Sequence, residues 1–494
     1  MLSSIRRMLD AFEENQISYC HWKSNEHLEP ALNGDTDLDM LFLPEQRDKL
    51  DAILNQCGLK RFRAMPLMQY NAIEDYIGFD IETAKIWHLH LHYRMTLGEK
   101  HLKGYTVTPW GQKIIDARIR DNTGIYTSCP EDEMLLFLVR NAMKLRWRDF
   151  GKKIGKSDLR EWEWLQNKVV REKLLVRAKE FFTDKLSDYI IGLTDMKLKN
   201  KNQLLKLQRA LRKELKIYTG YSRVNSYLTR TKREVYWFVG AVFRRLGLNG
   251  NKPNRRISPA GGCAVAILGC DGAGKSTTLS YIRKEFSKKI DVKCVYLGSG
   301  DGSSSLIRKP MKYVAKKVGG KGVGKAVEKE YVQSQEAEKQ VSLKARLYSF
   351  AKIVWALTLA DEKKKKLRQI TKARNAGMLV LIDRYPQIEV PGICDGPLLT
   401  KYLSREKGML YYLAKKEYDI YSMSKENLLD LAIKLTVPTE VAMERKPEMT
   451  AEKLNEKKKT VMMLEVAHRE CIIDTSVDKI ESCGKVMNEI WQVI

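Results

Sequence analysis

The sequence predicts a multidomain α/β protein: a C-terminal parallel sheet of about five strands with helices on both faces, an N-terminal α+β domain and a basic helical middle. Three observations predict it. From residue 263 onward, short aliphatic runs alternate with helical stretches, the pattern of a parallel sheet joined by crossover helices. Before residue 126, apolar and polar residues alternate with period two in several short runs, as half-buried strands do. Between the two, Lys and Arg accumulate on segments with helical spacing. At 494 residues the chain is about three times the usual domain length. The divisions fall at 1–126, 127–250, a linker at 251–262, and 263–494.

The charge is +27, from 88 Lys plus Arg against 61 Asp plus Glu. That excess suits anionic partners: nucleotides, nucleic acid or an acidic membrane surface. Nine cysteines without a C-x-x-C pair argue against a disulfide framework and for a reducing compartment. No apolar run approaches the roughly 18 residues of a spanning helix. Arg6, Arg7, Asp10 and Glu13 stand where a signal peptide would keep its apolar core. The expected location is the cytoplasm, with a peripheral membrane position left open.

The first domain opens with an amphipathic helix over 4–15. A strand follows at 36–42, in which Asp37 and Asp39 project to one side. Two carboxylates so placed are a natural Mg²⁺ platform, because hard cations take oxygen ligands. Strands at 76–82 and 86–94 read as a hairpin. His88, His90 and His92 share one face of the second, either as ligands to a transition metal with the aspartates or as a sheet surface without metal. With Lys23 and Ser24 as its small-residue turn and Asp37 and Asp39 as its acidic pair, this segment resembles a degenerate nucleotidyltransferase fold. The resemblance implies a third carboxylate. Asp80 is the candidate, and His90 stands where related proteins carry an aspartate.

The middle begins at Pro130 with Glu131, Asp132 and Glu133 in the first turn of a helix, where acids favour the positive end of the helix dipole. Over 197–216, Leu204, Leu207, Leu211 and Leu215 recur at helical spacing among many Lys and Arg. This reads as a helix packed on the protein with a solvated charged face, or as a contact for an anionic membrane surface or nucleic acid, aided by the apolar stretch at 235–242. A homodimer is also open. The Pro-, Gly- and Asn-rich run NGNKPNRRISPAGG ends this part.

The remainder is organised around CAVAILGCDGAGKSTT at 263–278. Gly269, Gly274, Lys275 and Ser276 satisfy G-x-x-x-x-G-K-[ST] where a strand becomes a helix. Small residues let backbone N–H groups face phosphate oxygens, the lysine reaches the β and γ positions, and the hydroxyl holds Mg²⁺. Strands are expected near 264–269, 292–297, 378–382, 431–437 and 471–474. The insertion at 298–377 starts Gly- and Ser-rich and turns helical near 343, and its run Lys363 to Lys366 reads as a solvated face.

Asp383 ends the third strand beside the loop mouth, followed by Arg384 and Tyr385. The run from Gly269 to Thr277, Asp383-Arg384-Tyr385, and Val437-Pro-Thr-Glu with Arg445 resemble the thymidylate kinase family of P-loop kinases. The resemblance covers roughly the last 235 residues. It implies ATP and Mg²⁺ as cofactors and a phosphorylated acceptor. Gly269, Gly272, Gly274, Lys275, Ser276 and Thr277 would hold the donor phosphates, and Ser276 with Asp383 the metal. Asp271 would face the acceptor sugar, Arg384 would clamp the acceptor phosphate, and Arg445 or Lys446 would supply the transition-state cation. The sequence after Tyr385, PQIEVPGICDGPLL, lacks the family's base-recognition pattern, so dTMP is the family default among nucleotide and phosphorylated sugar or glycan-precursor acceptors. Two other functions fit the same residues: a nucleotide-gated regulatory protein, and a kinase joined to an active nucleotidyltransferase.

Overall fold

The computed structural model describes residues 1–246, 252–298, 343–405, 407–426 and 429–494. The Gly- and Ser-rich start of the insertion, over 299–342, lies outside the described residues. The chain divides into two compact units, Met1–Pro259 and Ala260–Ile494.

The first unit is built on a seven-stranded mixed sheet. Its strands are β1 (Tyr19–His21), β2 (Asp37–Phe42), β3 (Lys60–Phe62), β4 (Ile73–Asp80), β5 (Lys85–His92), β8 (Ile119–Arg120) and β9 (Tyr126–Thr127), in the order β3-β4-β5-β2-β1-β9-β8. A separate two-stranded ribbon pairs β6 (Met95–Leu97) with β7 (Tyr105–Val107). Helix Ser3–Glu14 packs Ile5, Met8 and Phe12 against Tyr19, Phe42 and Trp87 of the sheet. Asp80 caps that helix: its carboxylate accepts from the Ser4 N–H at 2.8 Å and the Ser3 hydroxyl at 2.9 Å. The candidate third acid is thus a structural cap, and it cannot also face β2. Asp75, five residues earlier and on the opposite face of β4, lies across from His90 instead.

The helical middle belongs to this same unit. Helix Pro130–Lys144 runs through its core, with Leu135, Phe137 and Leu138 fully buried against Trp162, Leu174, Leu186 and Leu207. The acids of its first turn are buried as well, and each has a partner. Asp132 receives two bonds of 2.7 Å from Arg177, Glu131 accepts from the Val170 N–H, and Glu133 accepts from the Asn25 N–H at 2.8 Å and its amide at 2.7 Å. The basic stretch is shorter than expected, an α-helix only over Leu205–Glu214 between two 3₁₀ turns, and Leu204, Leu207, Leu211 and Leu215 are all buried. Its apolar stripe is spent on the core, leaving the cations as a solvated face.

Burial pushes the Glu133 carboxyl up to about 7, against the pull of its two bonds from Asn25. A folded-state value above the unfolded one of 4.5 favours folding below about pH 4.5 and loses that contribution as pH rises to about 7. Glu133→Gln should therefore flatten the fall in stability between pH 5 and pH 8, a span worth up to about 3 kcal/mol for such a shift. Urea midpoints of both proteins at the two pH values check this; parallel shifts would remove Glu133 as the cause.

The second unit holds the parallel sheet of the sequence expectation. Its strands are β10 (Cys263–Gly269), β11 (Val292–Tyr296), β12 (Leu379–Asp383), β13 (Leu431–Thr436) and β14 (Glu470–Asp474), in the order β11-β12-β10-β13-β14 with every pairing parallel. The central strand β10 is buried almost end to end because both its faces are covered. Helices Lys275–Phe286 and Lys479–Val493 pack together, as do Leu343–Asn375 and Met409–Glu426. Right-handed crossovers place these two groups on opposite faces. The strand order reverses around β10, so the carboxyl ends of β10 and β12 frame a crevice.

Candidate functional site

Gly272 and Gly274 turn the loop after β10 through φ of +82° and +79°, the left-handed region that disfavours side chains. A Cβ at Gly272 would stand 2.8 Å from the carbonyl of Ala442. Gly274 then caps helix Lys275–Phe286, whose first-turn Ser276 and Thr277 are exposed. The Lys275 ammonium folds back over the loop, donating to the carbonyls of Gly269 at 3.0 Å and Cys270 at 2.7 Å. Burial lowers its pKa, as does the Arg384 charge nearby.

Around this loop, charged groups gather from four segments. Asp383 ends β12 with its Oδ1 buried and without a hydrogen-bond partner among the described residues, and burial raises its pKa. Arg384 adopts φ of +65°, which turns its guanidinium towards Asp271 at 3.5 Å and Asp395 at 3.7 Å. Lys457, on helix Ala451–Met463, holds Asp271 at 2.6 Å. Burial alone would raise the Asp271 carboxyl, but the Lys457 bond and charge outweigh it and hold it below the usual range. Arg445 donates to the carbonyls of Gly272 and Thr475, each at 3.1 Å, so it braces the loop backbone. Lys446 lies 3.6 Å from Glu448.

Sequence reasoning missed Lys457 and Asp395. Lys457 sits in an ordinary lysine run, and Asp395 in a stretch without a motif. It also missed the partner of Asp395 on its other side: Lys363, in a run that reads as a solvated face, is 2% exposed and donates to the Asp395 carbonyl at 3.1 Å. Of that run, Lys365 does face solvent and pairs with Asp361.

A second cluster lies on the first unit's sheet. In-register pairing of β2 with β5 sets Asp37 beside His88 and Asp39 beside His90. Asp39 meets Lys23 at 2.8 Å, His90 Nδ1 at 2.7 Å and His92 Nε2 at 3.8 Å. Burial opposes its charge, but Lys23 and the two imidazoles hold its pKa well below normal. Asp37 is more exposed and lies 3.0 Å from His88, whose other nitrogen meets Asp75 at 2.7 Å. Asp39, His90 and His92 bring three metal-ligating atoms within 4.8 Å of one another. One carboxylate with two imidazoles is a donor set for a first-row transition ion, not for Mg²⁺, and the Lys23 ammonium already neutralises Asp39. Ser24, at φ of +57°, makes the turn that a glycine would otherwise make.

Loop, sheet order and strand-end acid together define a P-loop α/β unit, joined in this chain to a mixed α+β unit. No protein-family model matches the chain. Two relatives from Escherichia coli K12 are the uncharacterized ATP-binding proteins YghS, 28% identical over 194 residues, and YghR, 27% identical over 197. Each match spans 39% of this chain, with 77% of YghS and 72% of YghR covered. Among solved structures, thymidylate kinase from Candida albicans aligns at 17% identity and a TM-score of 0.27, over 47% of this chain and 91% of its own. The antibiotic-resistance factor ANT(2'')-Ia aligns at 14% and 0.24, over 36% of this chain and 89% of its own.

Proposed function

We propose that the C-terminal unit is an ATP-dependent phosphotransferase that moves the γ-phosphate of ATP to a phosphate-bearing small molecule. One observation carries this reading: Lys275, the unpartnered Asp383 oxygen and the Arg384 guanidinium converge at the carboxyl ends of β10 and β12. The names of the two Escherichia coli relatives, both ATP-binding proteins, support the donor half. The left-handed turns at Gly272 and Gly274 and the orphaned Asp383 oxygen suit a nucleotide phosphate with Mg²⁺. Ser276 and Asp383 would hold that ion, which when bound neutralises charge on the β- and γ-phosphates. Loop N–H groups and Lys275 bind and orient the donor, and Arg445 keeps the loop in shape by bonding the Gly272 carbonyl. Arg384 is the acceptor clamp, because an arginine fork matches phosphate oxygens and its two carboxylate contacts are long enough to be exchanged. A nucleoside monophosphate such as dTMP and a phosphorylated sugar both satisfy this chemistry.

The test is ADP release by purified protein with Mg²⁺·ATP against nucleoside monophosphates and phosphorylated sugars. Release stimulated by one acceptor supports the reading. ATP binding without stimulated release would favour a nucleotide-gated regulator instead. With the acceptor in hand, Arg384→Ala should raise its KM about thirtyfold, roughly 2 kcal/mol, while the Kd for ATP stays within about twofold. Unchanged acceptor kinetics would take the clamp away from Arg384.

A further inference from the structure

Helix Arg223–Arg245 is fixed to its unit by its polar side. Arg230 bonds Glu99 at 2.6 Å, Arg233 donates to the His101 carbonyl at 2.9 Å, and Glu234 pairs with Arg146. Trp237 lies over His101 on the same side, with ring centroids 6.1 Å apart. The opposite side is apolar and exposed. Val224, Leu228, Val235, Phe238 and Val242, with Leu246 just beyond the last turn, follow at intervals of four, seven, three, four and four, which keeps them on one stripe. Phe238 is 65% exposed, Val235 56% and Val224 68%. A soluble helix does the reverse, so the stripe marks a surface meant to be covered.

The charges around the stripe select the cover. At 100° per residue, Lys232 borders it on one side and Arg245 on the other, and both are exposed. The helix has one acid, Glu234, and its charge is engaged by Arg146. A second copy of this helix would set these cations against their like, whereas an anionic layer would neutralise them. A nucleic acid would use the cations but leave the aliphatic residues wet. Exposed Tyr236 lies to the Lys232 side of the stripe and adds an amphipathic ring of the kind found at lipid headgroup depth. No described helix is long and apolar enough to cross a membrane, and the bound polar side of this one restricts it to lying in the surface plane.

We propose that Arg223–Arg245 is an in-plane amphipathic helix that docks the protein on an anionic phospholipid surface, inserting Val235, Phe238 and Val242 below the headgroups. The full-length protein should co-sediment with vesicles of equimolar phosphatidylglycerol and phosphatidylcholine, and bind far less to phosphatidylcholine alone. Val235→Asp with Phe238→Asp should weaken vesicle binding about a hundredfold, since two apolar side chains no longer transfer. Lys232→Glu with Arg245→Glu leaves the stripe untouched and should weaken it about tenfold, with the remainder insensitive to salt. Thermal melts of both variants matching wild type would show that the fold is kept. Absence of vesicle binding, equal binding to neutral vesicles, or binding to a DNA duplex that competes vesicles off would each overturn the proposal. So would a wild-type dimer in light scattering that the stripe variant alone converts to monomer.

Discussion

Lys275→Ala should reduce acceptor-stimulated ADP release about a thousandfold while leaving both units folded. The size follows from the chemistry: phosphoryl transfer depends on positioning and charge neutralisation, and one fixed cation at the phosphates is worth several kcal/mol. The structure explains why the fold should survive. In this state the ammonium bonds the carbonyls of Gly269 and Cys270, and those lie on a loop whose shape is set separately by Gly272, Gly274 and the bond from Arg445 to the Gly272 carbonyl. Removing Lys275 vacates the space beside these two carbonyls, where water can take its place as donor and so limit the loss. Turnover with saturating acceptor, ATP affinity by calorimetry and a thermal melt form the check. Turnover within a few fold of wild type, in a folded variant, would move the phosphotransfer site away from this loop.

The parallel sheet was legible because its signals are local. Each β-branched or aliphatic run is bounded by Gly or by a polar residue at the crevice end, and all five expected strands lie within a residue or so of those observed. The loop was equally legible, since backbone geometry at Gly272 and Gly274 demands residues that the sequence displays. What was not legible depends on register and on distant pairing. A strand's side chains change face with every residue, so choosing between Asp75 and Asp80 required the β4–β5 register, which no local pattern encodes. Lys457 reaches Asp271 from 186 positions away. In the middle, the leucines of 204–215 and the exposed stripe of the next helix carry the same periodic signature. Burial of the leucines shows that one faces the core, and the polar pairs of Arg230, Arg233 and Glu234 show that the other faces out.

Lys363→Met should lower the stability of the C-terminal unit by about 3 kcal/mol, whereas Lys365→Met, two residues on, should leave it close to wild type. The four lysines are equivalent in sequence, but helical rotation buries the first. Its Nζ lies 3.1 Å from the Asp395 carbonyl, 3.5 Å from the Asp395 carboxylate and 4.7 Å from the centre of the Tyr421 ring. Burial lowers the pKa of this lysine, and the neighbouring Asp395 charge partly offsets that. Removing it takes one cation away from a carboxylate that is itself 3% exposed, the arrangement in which breaking a buried pair is expensive. Adding Asp395→Asn removes the buried negative charge, so the double variant should recover part of the loss. Because Asp395 is also the 3.7 Å partner of Arg384, the single variant should strengthen the hold of that carboxylate on the arginine and raise the acceptor KM as well. Denaturant midpoints and acceptor kinetics of the three variants decide it. Equal midpoints for Lys363→Met and Lys365→Met would mean that burial of the first lysine contributes nothing, and an acceptor KM that stays constant while stability falls would separate Asp395 from the clamp.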